Sequence, residues 1–247
     1  MTEQEWLDCA DPRDMLKHLQ VERRLAQSRG GRRKLRLFAC ASCRHIWKYL
    51  ADERSRKAVE VAERLADGSA GQAEVERARK EAGAAVRATR SGFQTLSERK
   101  PMLHFRNLDA TKAAEAALDR AAYPAACRAC SACVAVAGYA VARGFSALGF
   151  EQGTKLEMAA QGALLRDLFG NPFRPVALDR TCLTWQGSTI PKLALAIYQE
   201  RAFDRLPILA DALEDAGCDN ADILDHCRGP APHARGCWVL DQLTEKQ

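Results

Sequence analysis

The sequence predicts an all-α protein, and three observations carry that prediction. Apolar residues recur at helical spacing through most of the 247 positions. Helix-start signals punctuate the chain. Period-two alternation is absent apart from a short piece around Thr181–Trp185, and the 6% aromatic share argues against a sandwich or barrel.

Taken in order, Thr2 and Glu5 form a capping box for a first short helix whose apolar face is Trp6 and Leu7. Asp11 followed by Pro12 opens a second helix carrying Met15, Leu16 and Leu19, which Ser28-Arg-Gly-Gly-Arg breaks. A long apolar segment follows from Lys34 to Leu50, the expected central helix of the N-terminal half. Asp52 caps a helix with Val59, Ala62 and Leu65, and residues 72–90 form an amphipathic helix with few large apolar groups. From Gly92 to Leu108, with Pro101 inside, the pattern is irregular and reads as a hinge or exposed crossing. Asp109 is the expected cap of an alanine-rich helix ending near Pro124.

Residues 125–143 are almost all Ala, Cys, Val and Gly, which suits a buried helix that neighbours approach closely. Glu151 to Phe169 makes another helix, stopped by Gly170-Asn-Pro-Phe-Arg-Pro. Thr189-Ile-Pro opens a helix through Tyr198. Asp204 caps one through Ala216, with Gly217 as its terminator. Prolines and a composition shift near 165–185 divide a helical bundle, 1–175, from a smaller helical C-terminal module, 176–247, that holds a Cys/His-rich loop.

No segment reads as a signal peptide or a span of ~20 uncharged apolar residues, so a cytoplasmic protein with no membrane partner is expected. Ten cysteines in a reducing compartment then read as packing, thiol or metal groups before disulfides. The net charge of +5 hides an asymmetry. Arg13–Lys57 holds fourteen Lys/Arg against four Asp/Glu, whereas Asp204–Asp225 holds seven acids against one arginine. Partner binding is one use of such opposition, and attraction between the two ends of the fold is the favoured one.

Three cysteine constellations compete for a chemical role. Cys40-Ala-Ser-Cys43, with His45 beside it, lies inside an apparent helix with no strand before it, so a thioredoxin-like mechanism lacks its usual support. Cys127, Cys130 and Cys133 recur every three residues, and on a straight helix the third lies ~120° from the first, so packing is favoured over a shared metal. The third set is C-terminal. Cys227, His233 and Cys237, with Cys218 or His226 as a fourth donor, suit tetrahedral zinc on a loop stiffened by Gly229, Pro230 and Pro232. A structural turn without metal is the competing account.

The basic N-terminal segment, with Arg32, Arg33, Lys34, Arg36 and Arg44 interleaved with Phe38, Trp47 and Tyr49, is a nucleic-acid candidate if those charges share one exposed face. The acidic run from Asp211 to Asp225 lacks the ligand spacing of a calcium loop. No nucleophile elbow, phosphate loop, dinucleotide fingerprint or His-Glu-x-x-His helix is present.

The stretches Thr2-Glu-Gln-Glu-Trp-Leu, Arg33-Lys-Leu-Arg-Leu-Phe-Ala-Cys-Ala-Ser-Cys-Arg, Leu206-Pro-Ile-Leu-Ala-Asp-Ala-Leu-Glu-Asp-Ala-Gly-Cys and His233-Ala-Arg-Gly-Cys-Trp-Val-Leu-Asp resemble a family of uncharacterised bacterial proteins. The resemblance implies membership and no activity. The leading expectation is a non-enzymatic interaction or adaptor protein whose partner is another protein, with a structural zinc in the C-terminal cluster as an option. A metal- or thiol-dependent enzyme using that cluster and a nucleic-acid binder using the basic segment are the alternatives.

Overall fold

The computed structural model describes residues 1–22, 27–92, 101–142, 146–230 and 232–246. Among these residues there are thirteen α-helices and no strand, so the chain is all-α as its periodicity predicts. The helices are α1 (Glu3–Asp8), α2 (Pro12–Val21), α3 (Arg29–His45), α4 (Glu53–Ala66), α5 (Gln72–Ser91), α6 (Pro101–Ala117), α7 (Ala122–Val141) and α8 (Ala147–Phe169). There follow α9 (Thr181–Thr184), α10 (Thr189–Glu200), α11 (Leu206–Asp215), α12 (Ala221–Arg228) and α13 (Trp238–Leu243). The chain forms two compact units, Cys9–Gly162 and Met1–Asp8 with Ala163–Gln247, so the division runs through α8.

In the Cys9–Gly162 unit, α3 is the central element, burying Leu35, Leu37, Phe38, Cys40 and Cys43. Its start differs from the sequence expectation. Ser28 accepts a hydrogen bond from the Gly31 amide at 2.8 Å, so Ser-Arg-Gly-Gly is a cap and first turn rather than a break. The helix stops at His45, and a 3-10 turn, Trp47–Tyr49, replaces its expected end. Asp11 and Asp52 cap α2 and α4 as expected, each accepting from the amide two residues on at 2.9 Å. Asp109 caps nothing, because α6 begins at Pro101, a residue whose missing N–H is harmless in a first turn. The expected hinge is therefore helical from 101 to 108, and its residues 93–100 lie outside the described set.

Small side chains set the spacing of α6 and α7. Ala110, Ala113, Ala114 and Ala117 are buried in one core with Ala125, Ala129, Cys133 and Val136. At the far end of α7, a Cβ on Gly138 would lie 2.6 Å from the Phe150 ring of α8, so only glycine permits that approach. By length and composition α7 is long and apolar enough to cross a membrane, and its alanine and cysteine face lies in the bundle core.

In the other unit, Ile190, Ala194 and Ile197 of α10 pack with Leu206, Leu209 and Leu213 of α11, Ile223 and Leu224 of α12, and Val239, Leu240 and Leu243 of α13. Thr181–Trp185 is a turn of α-helix leading into a 3-10 turn, not a strand. Asp204 likewise sits in a 3-10 turn, and α11 starts without a side-chain cap. Gly217 does terminate α11, at φ +89. The first eight residues belong here through buried Trp6, whose indole N–H donates to the Gly170 carbonyl at 3.1 Å. Arg166 donates to the Trp6 carbonyl at 3.1 Å, and Asn171 to the Glu3 carboxylate at 2.6 Å.

Candidate metal centre

The site begins with an acid in an unfavourable position. Asp167 lies in the last turn of α8, where unsatisfied carbonyls make the helix end partially negative, and its side chain is fully buried. A carboxylate there needs strong positive or hydrogen-bonding partners. It has three: the Ala234 amide donates to Oδ2 at 3.0 Å, and His233 Nδ1 and His226 Nε2 lie 2.8 and 3.3 Å from Oδ1. Burial pushes the Asp167 carboxyl up, and the two imidazoles more than reverse this, holding it below its ordinary value of 3.8.

His226 comes from α12, His233 from the loop after it, and Cys237 is the residue that opens α13. His226 Nε2 lies 3.1 Å from Cys237 Sγ. The His226 ring also stands edge-on to His233, centroids 5.0 Å apart, and packs 5.1 Å from Trp238. Donor atoms of Asp167, His226, His233 and Cys237 all lie within 4.8 Å of one another. Among the described residues this is the one group of three or more such donors that converges.

A mixed oxygen, nitrogen and sulfur set of this kind suits zinc. Bond lengths of ~2.0–2.3 Å around a tetrahedral ion imply donor separations of roughly 3.3–3.6 Å. Three of the six spacings, 2.8–3.3 Å, are a few tenths of an ångström tighter and all six lie within 4.8 Å, so seating an ion takes side-chain adjustments that open the close pairs and draw in the wider ones. The donors therefore fit the metal. His233 Nε2, the ring's other nitrogen, is buried without a hydrogen-bond partner, so the imidazole's contacts in this group are made through Nδ1.

The same geometry argues against a thiol relay. A nucleophilic cysteine needs one imidazole nitrogen, while the orienting carboxylate holds the other. Here Cys237 and Asp167 both approach Nε2 of His226, which describes convergence on a point rather than a chain of proton carriers. Burial, then the Asp167 charge, push the Cys237 thiol well above its ordinary value, the reverse of activation.

Of the four ligands read from sequence, His233 and Cys237 are in the group, and Cys227 and Cys218 are not. Cys227 sits one residue beyond His226, ~100° further round α12, and is buried in the core with Ile223 and Leu224. Cys218 follows the α11 terminator, its amide bonded to the Leu213 carbonyl. His226 is the fourth-donor alternative that the fold supports, and Asp167 is a member that sequence reasoning misses. Its signal is faint: an acid three residues after Leu164, on a helix face that also buries Leu165 and Leu168.

The other cysteines are packed. Cys40 Sγ lies against the Val59 carbonyl at 3.8 Å, and Cys43 of α3 and Cys133 of α7 are buried in one core. Burial pushes the Cys130 thiol up to about 12. The basic set fares differently from its expectation. Arg33 is buried against Asp67 at 3.0 Å, Arg36 donates to the Ala117 and Arg120 carbonyls, and Arg44 holds the Glu63 carboxylate through two bonds. With Arg32 bonded to the Gln27 carbonyl, the five do not form one free exposed face. In the acidic run, Asp211 and Glu214 both hold Arg228, and Asp222 pairs with Arg174.

No protein-family model matches the chain, and neither a curated protein nor a solved structure is similar to it.

Proposed function

We propose that this is a zinc-stabilised, non-enzymatic cytoplasmic protein that works as an interaction or adaptor module with another protein as its partner. The observation that carries the reading is the convergence of Asp167, His226, His233 and Cys237 on one buried point. Four protein donors fill a tetrahedral ion, and a filled sphere is the mark of a structural rather than a catalytic zinc. The donors come from the end of α8, from α12, from the following loop and from the start of α13, so an ion there would tie four segments of the Ala163–Gln247 portion together. Hydrolytic metal chemistry would need an open position for water, which a four-donor set does not provide.

The test is elemental analysis of tag-free protein with a thiol count before and after denaturation. Near-stoichiometric zinc, released together with protection of Cys237 on chelation, supports the reading. Metal-free protein that takes up no zinc on titration sinks it. Turnover of a substrate that depends on the bound ion would sink the non-enzymatic part alone.

A further inference from the structure

The Cys9–Gly162 unit carries a second arrangement of chemical interest, independent of the metal centre. The 3-10 turn after α3 holds Trp47 and Tyr49 half-buried, and cations from three helices gather on their rings. Arg44 lies 3.9 Å and Arg56 5.8 Å from the Trp47 centroid, while Arg106 lies 4.5 Å and Lys48 5.1 Å from that of Tyr49. The acids nearby do not balance this set. Glu63 is committed to Arg44 and Asp52 to Arg54. Glu53, 83% exposed, reaches Arg56 only at 3.7 Å, and His45 faces Glu157 at 3.7 Å. Among the described residues neither Lys48 nor Arg106 forms an ion pair. The Nε donors of both Arg56 and Arg106 are buried with no hydrogen-bond partner.

The buried Nε atoms are out of a ligand's reach, and what the edge presents to an anion is the uncompensated positive charge of Lys48, Arg56 and Arg106. Lys48, Arg56 and Arg106 are spread over the 3-10 turn, α4 and α6 rather than aimed at one centre, so a chain of phosphates fits them better than a single ion. Trp47 and Tyr49 are only partly covered among these cations, and their exposed parts offer a base an aromatic contact. We propose that the Trp47–Tyr49 edge, with Lys48, Arg56 and Arg106 as its phosphate-binding groups, binds single-stranded nucleic acid without sequence preference. This relocates the basic interface from the α3 arginines, which serve the fold.

The experiment is fluorescence anisotropy of a labelled oligothymidylate with the full chain across a salt series. Affinity falls linearly with salt on logarithmic axes. The Arg56→Gln, Arg106→Gln double variant weakens binding about tenfold and makes the slope shallower by about 1.4, at ~0.7 for each phosphate no longer neutralised. Lys48→Gln, on an exposed side chain, removes about 0.7 by itself. Arg32→Gln leaves both quantities unchanged, and circular dichroism confirms that each variant is folded. Absence of binding at low salt, a flat salt series, or equal loss from Arg32→Gln would overturn the proposal. So would displacement of the strand by tripolyphosphate at equal phosphate concentration, which would make the edge a small-anion site.

Discussion

The Nε2 atom of His226 lies 3.1 Å from the Sγ of Cys237, although the two are eleven positions apart and a proline-containing loop intervenes. Such closeness between an imidazole and a thiol fixes where α12 ends relative to where α13 begins. It also makes the two residues equal partners in any ion they hold. Cys237→Ser and His226→Ala should each abolish stoichiometric zinc, whereas Cys227→Ser should retain it and cost only packing. Inductively coupled plasma analysis of the three variants checks this. Chelation of the parent protein should lower stability by about 2.7 kcal/mol or more, the mass-action contribution of a ligand present at a hundredfold excess over its dissociation constant.

Asp167→Asn tests the buried carboxylate. The amide is isosteric but carries no charge, and its nitrogen cannot accept the hydrogen bonds that Oδ1 and Oδ2 accept from the histidines and the Ala234 amide. A loss of about 2–3 kcal/mol in denaturant unfolding is expected, together with weaker metal retention. Unchanged stability and unchanged metal content would show that the acid is incidental.

Arg33 and Asp67 form a pair whose side chains are both about nine-tenths buried. Removing one partner strands the other charge, so Arg33→Ala should destabilise the protein by about 3–5 kcal/mol. Arg33→Met with Asp67→Leu should recover most of that loss, because an apolar pair of similar volume needs no counter-charge. Urea midpoints of the single and double variants decide it.

Asp52 provides the pH dependence. Hydrogen bonds and charge from Arg54 hold its carboxyl below the ordinary value of 3.8. A depressed folded-state value means that the ionised form stabilises the native state above the unfolded value, and that this contribution disappears as pH falls below about 4. Asp52→Ala should therefore cost about 1 kcal/mol at neutral pH, as a lost helix cap. The gap between the variant and its parent should close in acid melts. Asp52→Asn keeps a capping oxygen and should remove the pH dependence with a smaller loss.

Local rules made much of the fold legible. Thr2 and Glu5 bond reciprocally, the Thr2 amide to the glutamate at 2.7 Å and the Glu5 amide to the hydroxyl at 3.2 Å, as the capping box requires. Asp109 misleads because an aspartate before alanines looks like a start even when a proline eight residues earlier has already opened the helix. The metal group is half legible. His233 and Cys237 stand on a loop whose composition is conspicuous, but choosing between His226 and Cys227 needs the rotation of α12, which adjacent residues cannot both satisfy. Asp167 is separated from His233 by 66 positions, and that meeting is a product of tertiary packing alone. The α3 arginines mislead for a related reason. A charge in a basic run looks solvated until the buried acid or carbonyl that it serves, such as Asp67 for Arg33, is brought to it by another helix.

The bond from Trp6 to the Gly170 carbonyl bears on how the chain is made. Its two ends are separated by 164 positions, so at ~5–20 residues per second the ribosome takes on the order of ten to thirty seconds to deliver the acceptor after the donor has been synthesised. During that interval the large apolar indole has no native seat. The Cys9–Gly162 unit is complete before the other has its parts, so the nascent chain must carry an unburied tryptophan through the folding of everything between. A ribosome-stalling series with the arrest point moved past residue 170 would register the moment when Trp6 fluorescence changes from solvated to buried.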